Sequence, residues 1–209
     1  MSDAKVAKVS VIYYSATGNV WQLAKAVLQG AEKNGAEVRL RKVPELAPEE
    51  AIASNAGWAS HRVETQEIAE AAATDVTWAD AIVFGTPTRY GNVSAQLKQF
   101  LDTLGPQWAQ GSLANKVYSG FVSVGTAHGG HESTLLALYQ TIYHFGGIVV
   151  APGYTDPIKF QEGNPYGTSH TSANGANPPG ELELAAATFQ GGRVTRVAAA
   201  FRRGLANQS

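Results

Sequence analysis

The feature that most constrains this chain is a fivefold alternation of short β-rich runs with stretches of helical periodicity. Residues 8–14 (KVSVIYY) carry apolar side chains on both parities, as a strand buried on both faces requires. Residues 15–20 (SATGNV) break the run with turn formers. Val20, Leu23, Val27 and Ala31 then recur at helical spacing, and Gly35 closes the helix. Residues 37–43 alternate and read as a second, more peripheral strand. Residues 44–63 read as irregular with one helical turn at 49–53, and 65–73 as a short helix. A third buried strand covers 80–85, and Ser94 is placed to cap a helix whose face is Leu97, Phe100, Leu101 and Leu104. Residues 116–124 form the fourth strand, and Leu135, Leu138, Ile142 and Phe145 mark the next helix face. Residues 147–151 form the fifth strand. A last helix repeats Leu184, Ala187, Gly191, Val194, Ala198 and Phe201 at steps of three and four.

Such alternation specifies an α/β fold: a five-stranded parallel sheet with helices on both faces. Right-handed crossovers leave few topologies, and the order 2-1-3-4-5 is the common one. The 209 residues fit a single domain over 1–209, with no internal repeat. Residues 152–180 are rich in Gly, Pro, Asn, Ser and Thr and too long for a plain connector, so they are expected to be functional or disordered.

Composition removes several function classes. With no cysteine, thiol catalysis and zinc–thiolate sites are excluded. A net charge of −1 without a Lys/Arg cluster gives nucleic-acid binding no electrostatic basis. It also lacks the strongly acidic balance of a carrier that docks to basic redox partners. No run of 18 apolar residues offers a membrane span, and the first residues lack a signal-peptide core, so a cytoplasmic location is expected. His128 and His131 without a third ligand do not make a metal site.

Three turn-rich loops follow the first, third and fourth strands. In a 2-1-3-4-5 sheet these strands are neighbours, and ligands bind at their C-terminal ends. The loops at 15–20, 86–92 and 123–130 should therefore converge. The first offers hydroxyl and amide groups from Ser15, Thr17 and Asn19 beside Ala16, with Gly18 for close backbone approach and a helix N-terminus at Val20. It has neither the lysine of a Walker A loop nor a G-x-G-x-x-G pattern, so a terminal monophosphate fits better than a triphosphate or dinucleotide. Taken alone, it is equally a turn with a helix cap. In the second loop Tyr90 can wall a flat ring, and the backbone near Thr88 and Arg89 can meet its polar edge. The third loop, small residues from Ser123 to Gly130, admits backbone contact with a ring. Either is also consistent with a plain turn.

Residues 13–15 (YYS) with Gly18, residues 84–92 (FGTPTRYGN) and residues 165–167 (PYG) resemble the WrbA-type NAD(P)H:quinone oxidoreductases over nearly the whole chain. The resemblance implies a flavodoxin-like fold, bound FMN, two-electron quinone reduction by NAD(P)H and a homotetramer. By position it assigns FMN contacts to Ser15, Ala16, Thr17, Gly18, Asn19 and Val20. It adds Thr88, Arg89 and Tyr90, then Ser123, Val124, Gly125, Thr126, Ala127 and Gly129. His128 reads as a one-residue insertion in the third loop. Thr17 stands where many members have a tyrosine that contacts the nicotinamide. His144 matches a histidine that reaches the flavin and acts in catalysis, and Trp108 matches a tryptophan of the substrate pocket. Judged on their own residues, His144 is a helix-dipole partner and Trp108 a cover over core. The alternatives are a flavodoxin-like electron carrier or regulatory FMN-binding protein without turnover, and an azoreductase or flavin reductase on the same fold.

Overall fold

The computed structural model describes residues 6–206; residues 1–5 and 207–209, the former including part of the segment read for a signal-peptide core, lie outside the described residues. The central strands are β1 (Lys8–Tyr13), β2 (Glu37–Lys42), β3 (Ala81–Pro87), β4 (Val117–Val124) and β5 (Ile148–Val149). All pair in parallel in the order β2-β1-β3-β4-β5, as expected.

The pleat sorts side chains onto two cores. Val9, Val11 and Tyr13 of β1, with Ala81 and Val83 of β3, face α1 (Asn19–Lys33) and the C-terminal helix Glu181–Ala206. Ile12, Ile82, Phe84, Tyr118 and Val122 face the other way. They meet Val76 of α4 (Ala73–Trp78), Leu97 and Leu101 of α5 (Ala95–Asp102), and Leu135 and Leu138 of the helix His131–His144. Ser94 caps α5 as expected, accepting from the Leu97 amide at 3.4 Å. Between β2 and α4 lie α2 (Glu49–Ala53) and α3 (Ala56–Glu64), and α6 (Gly105–Ala109) follows α5. The helix His131–His144 is α7, α8 spans Pro157–Glu162, and the C-terminal helix is α9.

Two helices cross at backbone contact. A Cβ on Gly30 of α1 would lie 1.9 Å from the Thr188 carbonyl oxygen, and one on Gly191 of α9 would lie 2.0 Å from that of Val27. Only glycine on both helices permits this approach.

The structure departs from the sequence expectations in three places. Residues 56–63, expected to be irregular, lie in α3, because the Asn55 side chain caps its first turn by accepting from the Trp58 amide at 3.1 Å. Residues 65–72, expected to be helical, run as turns beside β2. There the Lys42 amide donates to Ala69 O (3.2 Å) and the Ala71 amide to Lys42 O (2.8 Å), bridging Lys42 to Glu70 in parallel, and helix begins only at Ala73. The fifth strand shrinks to two residues. Its place beside the upper half of β4 is taken by a sixth strand, β6 (Thr168–Thr171), inside the stretch 152–180. That stretch folds because Asp156 caps α8 at the Ile158 amide (3.0 Å), with Pro157 at its first position. The buried Glu162 then accepts from Lys159 and from the amide and hydroxyl of Ser169. Gln190 of α9, fully buried, clamps the new edge by accepting from Thr168 N and donating to Ser119 Oγ and Gly120 O.

Candidate active site

The C-terminal ends of β1, β3 and β4 open onto one cleft of about 290 Å³. Ser15, Ala16, Thr17, Asn19 and Val20 line it from the first loop, Pro87, Thr88 and Arg89 from the second, and Ser123, Val124 and Gly125 from the third. The three loops meet as the strand order requires.

The first loop leaves a helix end bare. Gly18 takes φ +96°, a left-handed conformation that favours glycine, and α1 starts there without a side-chain cap. The first helical bond is Gln22 N–H to Gly18 O at 3.0 Å. The amides of Asn19, Val20 and Trp21 are thus the donors that a helix start leaves without intrahelical partners. Ser15 Oγ accepts from the Gly18 amide at 3.1 Å, so its own proton is free to be donated. Among the described residues Arg89 is the one charged residue of the lining, and none of them brings a carboxylate. Bare amides, hydroxyls and a single cation suit a terminal monophosphate and an electron-rich ring edge, the chemistry of FMN.

The second loop is a tight turn in which the Arg89 amide donates to Asn92 O (2.8 Å) and the Asn92 amide to Arg89 O (3.0 Å). Tyr90, at its tip with φ 53°, is fully exposed and does not line the cleft. An aromatic wall is supplied instead by Trp58, which the sequence reading left without a role. Its indole N–H donates to Glu45 Oε2 at 3.0 Å. Glu45 also accepts from the Tyr14 hydroxyl, Gln96 Nε2 and the amides of Leu46 and Ala47. Burial on its own pushes the Glu45 carboxyl up; these hydrogen bonds outweigh it and hold the group below its ordinary range.

In the third loop Thr126, Ala127 and Gly129 do not reach the cleft; Ala127 borders a separate polar pocket beside His131 and Glu162. Ser172, Asn174 and Gly175, brought by the chain leaving β6, complete the rim. The Ser172 amide donates to Val124 O at 2.7 Å and the Asn174 amide to Gly125 O at 3.3 Å. Asn55, the α3 cap, adds a further amide. No local pattern marks these rim residues as binding groups, since β6 itself is short and polar. The N-cap pattern of Asn55 ahead of Trp58 was the available signal for the other wall.

His144 and Trp108 lie elsewhere. The α7 N-terminus touches the second loop, where a Cβ on Gly130 would lie 2.7 Å from the Gly91 Cα. His144 sits at the other end, roughly 20 Å along the helix axis at 1.5 Å per residue. Trp108 Nε1 donates to the His144 carbonyl oxygen at 2.8 Å. The two residues are brought together, yet neither lines the cleft of its own chain.

Residues 7–157 match the NADPH-dependent FMN reductase family. The chain is 46% identical over 202 residues to the NAD(P)H dehydrogenase (quinone) of Sinorhizobium fredii, covering 93% of this chain and 98% of that one. It is 43% identical over 169 residues to the protein of the same name from Deinococcus radiodurans, covering 80% and 84%. A WrbA-like flavodoxin from Agrobacterium tumefaciens is similar in structure with a TM-score of 0.65 and 27% identity, covering 92% of this chain and 97% of that one. An archaeal flavodoxin shares the fold at a TM-score of 0.59 and 16% identity, covering 91% and 98%. Sheet order, converging loops and sequence match agree, and the chain belongs to the NADPH-dependent FMN reductase family.

Proposed function

We propose that this protein is an FMN-dependent NAD(P)H:quinone oxidoreductase that alternates its two substrates at one cleft, in ping-pong fashion. The observation that carries the reading is the uncapped N-terminus of α1 facing a cleft that, among the described residues, holds hydroxyls and one arginine but no carboxylate. Bound FMN supplies the two-electron chemistry between NAD(P)H and quinone. The protein binds and orients. Ser15, Thr17 and the amides from Asn19 onward hold the phosphate. Backbone groups of Thr88 and Arg89, with Ser123 to Gly125, meet the ring edge. Trp58, fixed by Glu45, forms the wall. Amides at that edge favour negative charge developing on the ring.

His144 and Trp108 are assigned to the cleft of a neighbouring copy in a homotetramer, because they lie together and away from their own. The chain acts as one domain and in the cytoplasm; no helix among the described residues is long and apolar enough to cross a membrane. Purified protein with FMN, NADH or NADPH, and benzoquinone tests the reading. Turnover well above that of free FMN is expected. A stable one-electron form on reductive titration, with no turnover, would instead favour an electron carrier.

A further inference from the structure

β6 sets a histidine directly beside the cleft. Ser123 and His170 are register partners in the parallel pair β4–β6. Their side chains meet at 3.0 Å, Ser123 Oγ to His170 Nδ1. Ser123 lines the cleft and is 7% exposed; His170 is 1% exposed. The backbone around the serine is fixed as well, since its carbonyl oxygen accepts from the Thr88 amide at 3.0 Å. A hydroxyl rotor in this position has two settings, and the neighbouring ring nitrogen selects one.

We propose that His170 is a positioning residue that turns the Ser123 hydroxyl proton away from the cleft, so that Ser123 Oγ presents lone pairs to an N–H donor on the edge of the bound heteroaromatic ring. The proposal rests on the cofactor reading above and adds a specificity element to it: the cleft demands a ring donor at this point. Burial first of all pulls His170 below the ordinary histidine range, which keeps the ring neutral near pH 7. Glu183 of α9 and the backbone of Asn177 and Pro178 favour a proton on the ring, and His131 of α7 opposes a charge. Nε2 is buried without a hydrogen-bond partner of its own. We assign the one proton of the neutral ring to Nε2, although no acceptor completes a hydrogen bond with it, so that Nδ1 is the acceptor from Ser123. Protonation at lower pH makes Nδ1 a donor and reverses the hydroxyl.

Two readouts test this. Long-range proton–nitrogen spectra of the apoprotein report the His170 tautomer; a proton on Nε2 is expected, and one on Nδ1 at neutral pH overturns the proposal. FMN titration by flavin fluorescence is the second. Ser123→Ala and His170→Phe are each expected to weaken binding about tenfold, the size of one hydrogen bond, and the double variant no more than either alone. His170→Asn restores an acceptor and should recover most of the affinity. The advantage of wild type over Ser123→Ala should vanish as pH falls through the His170 titration. Losses that add in the double variant, or a His170→Phe protein that binds FMN like wild type, overturn the proposal. If His170→Phe does not fold, His170→Asn, the tautomer and the pH dependence decide it. Wild-type protein that binds no FMN overturns the cofactor reading itself, which unaltered variants of an FMN-binding wild type would not.

Discussion

The indole N–H of Trp58 donates to Glu45 Oε2 at 3.0 Å, and the Tyr14 hydroxyl donates to the same oxygen at 2.8 Å. One carboxylate thus ties the end of β1 to the α3 tryptophan that walls the cleft. Glu45→Ala strands both donors and is expected to cost about 1.5–3 kcal/mol of stability, the range for hydrogen bonds to a charged group. It should also weaken FMN binding through a loosened Trp58. Because the folded carboxyl sits below its ordinary value, its contribution is complete above the unfolded pKa of about 4.5 and is lost as pH falls through the folded one. Urea melts of wild type and Glu45→Ala at pH 7 and pH 3 check this: the gap between them should shrink in acid.

The phosphate and the ring should separate by mutation. Ser15→Ala removes a hydroxyl from the α1 end and is expected to weaken FMN binding about tenfold while leaving riboflavin binding unchanged. Gly18→Val forces a β-branched residue to φ +96° and should abolish the FMN preference altogether. Titrations with both ligands measure it; equal losses for FMN and riboflavin would place the phosphate elsewhere.

The cofactor should be exchangeable. The loop lacks a lysine, and several hydrogen bonds must offset an association cost of about 4–15 kcal/mol, so dissociation constants near micromolar, about −8 kcal/mol, are expected. A preparation that emerges pale and turns yellow on addition of FMN agrees; flavin that resists dialysis and dilution disagrees.

The α1–α9 crossing gives a stability prediction independent of the site. Gly191→Ala drives a methyl against the Val27 carbonyl oxygen, which lies 2.0 Å from the added carbon, and the two helices must part. Overpacking of this kind costs about 1–3 kcal/mol. The denaturation midpoint should fall, while FMN affinity of the folded protein stays unchanged.

Two buried histidines make the apoprotein acid-sensitive. His61, packed on Trp21 and Gly18, and His170 are both pulled below the histidine value of 6.5, in each case chiefly by burial. The unfolded chain then binds more protons between the folded and unfolded pKa values, so stability is complete above about pH 6.5 and falls as pH drops below it. Urea midpoints between pH 8 and pH 5 should decline, and His61→Phe should flatten part of the slope.

Patterns carried by adjacent residues were legible without the structure. The apolar runs of β1, β3 and β4 and the stepped faces of α1, α5 and α9 fix period and order, and the order alone places three loops at one edge. The cap at Ser94 was legible for the same reason, because its donor is three residues away. Other features depend on partners remote in sequence. Residues 65–72 gave up helix because Lys42 offers them backbone bonds. β6 is short and polar and exists because β5 ends after two residues, leaving the upper half of β4 to be paired.

Helical and strand periods, turn chemistry and the absence of cysteine are local properties, so the sequence by itself determined the doubly wound architecture and the sheet edge at which three turn-rich loops converge. Only the tertiary structure decided that Trp58 replaces Tyr90 as the wall, that Ser172 and Asn174 close the rim, and that His144 and Trp108 sit apart from their own cleft. The reason is physical: a side chain's exposure and its hydrogen-bond partners are set by segments tens of residues away, and no period in the chain encodes which of them arrives.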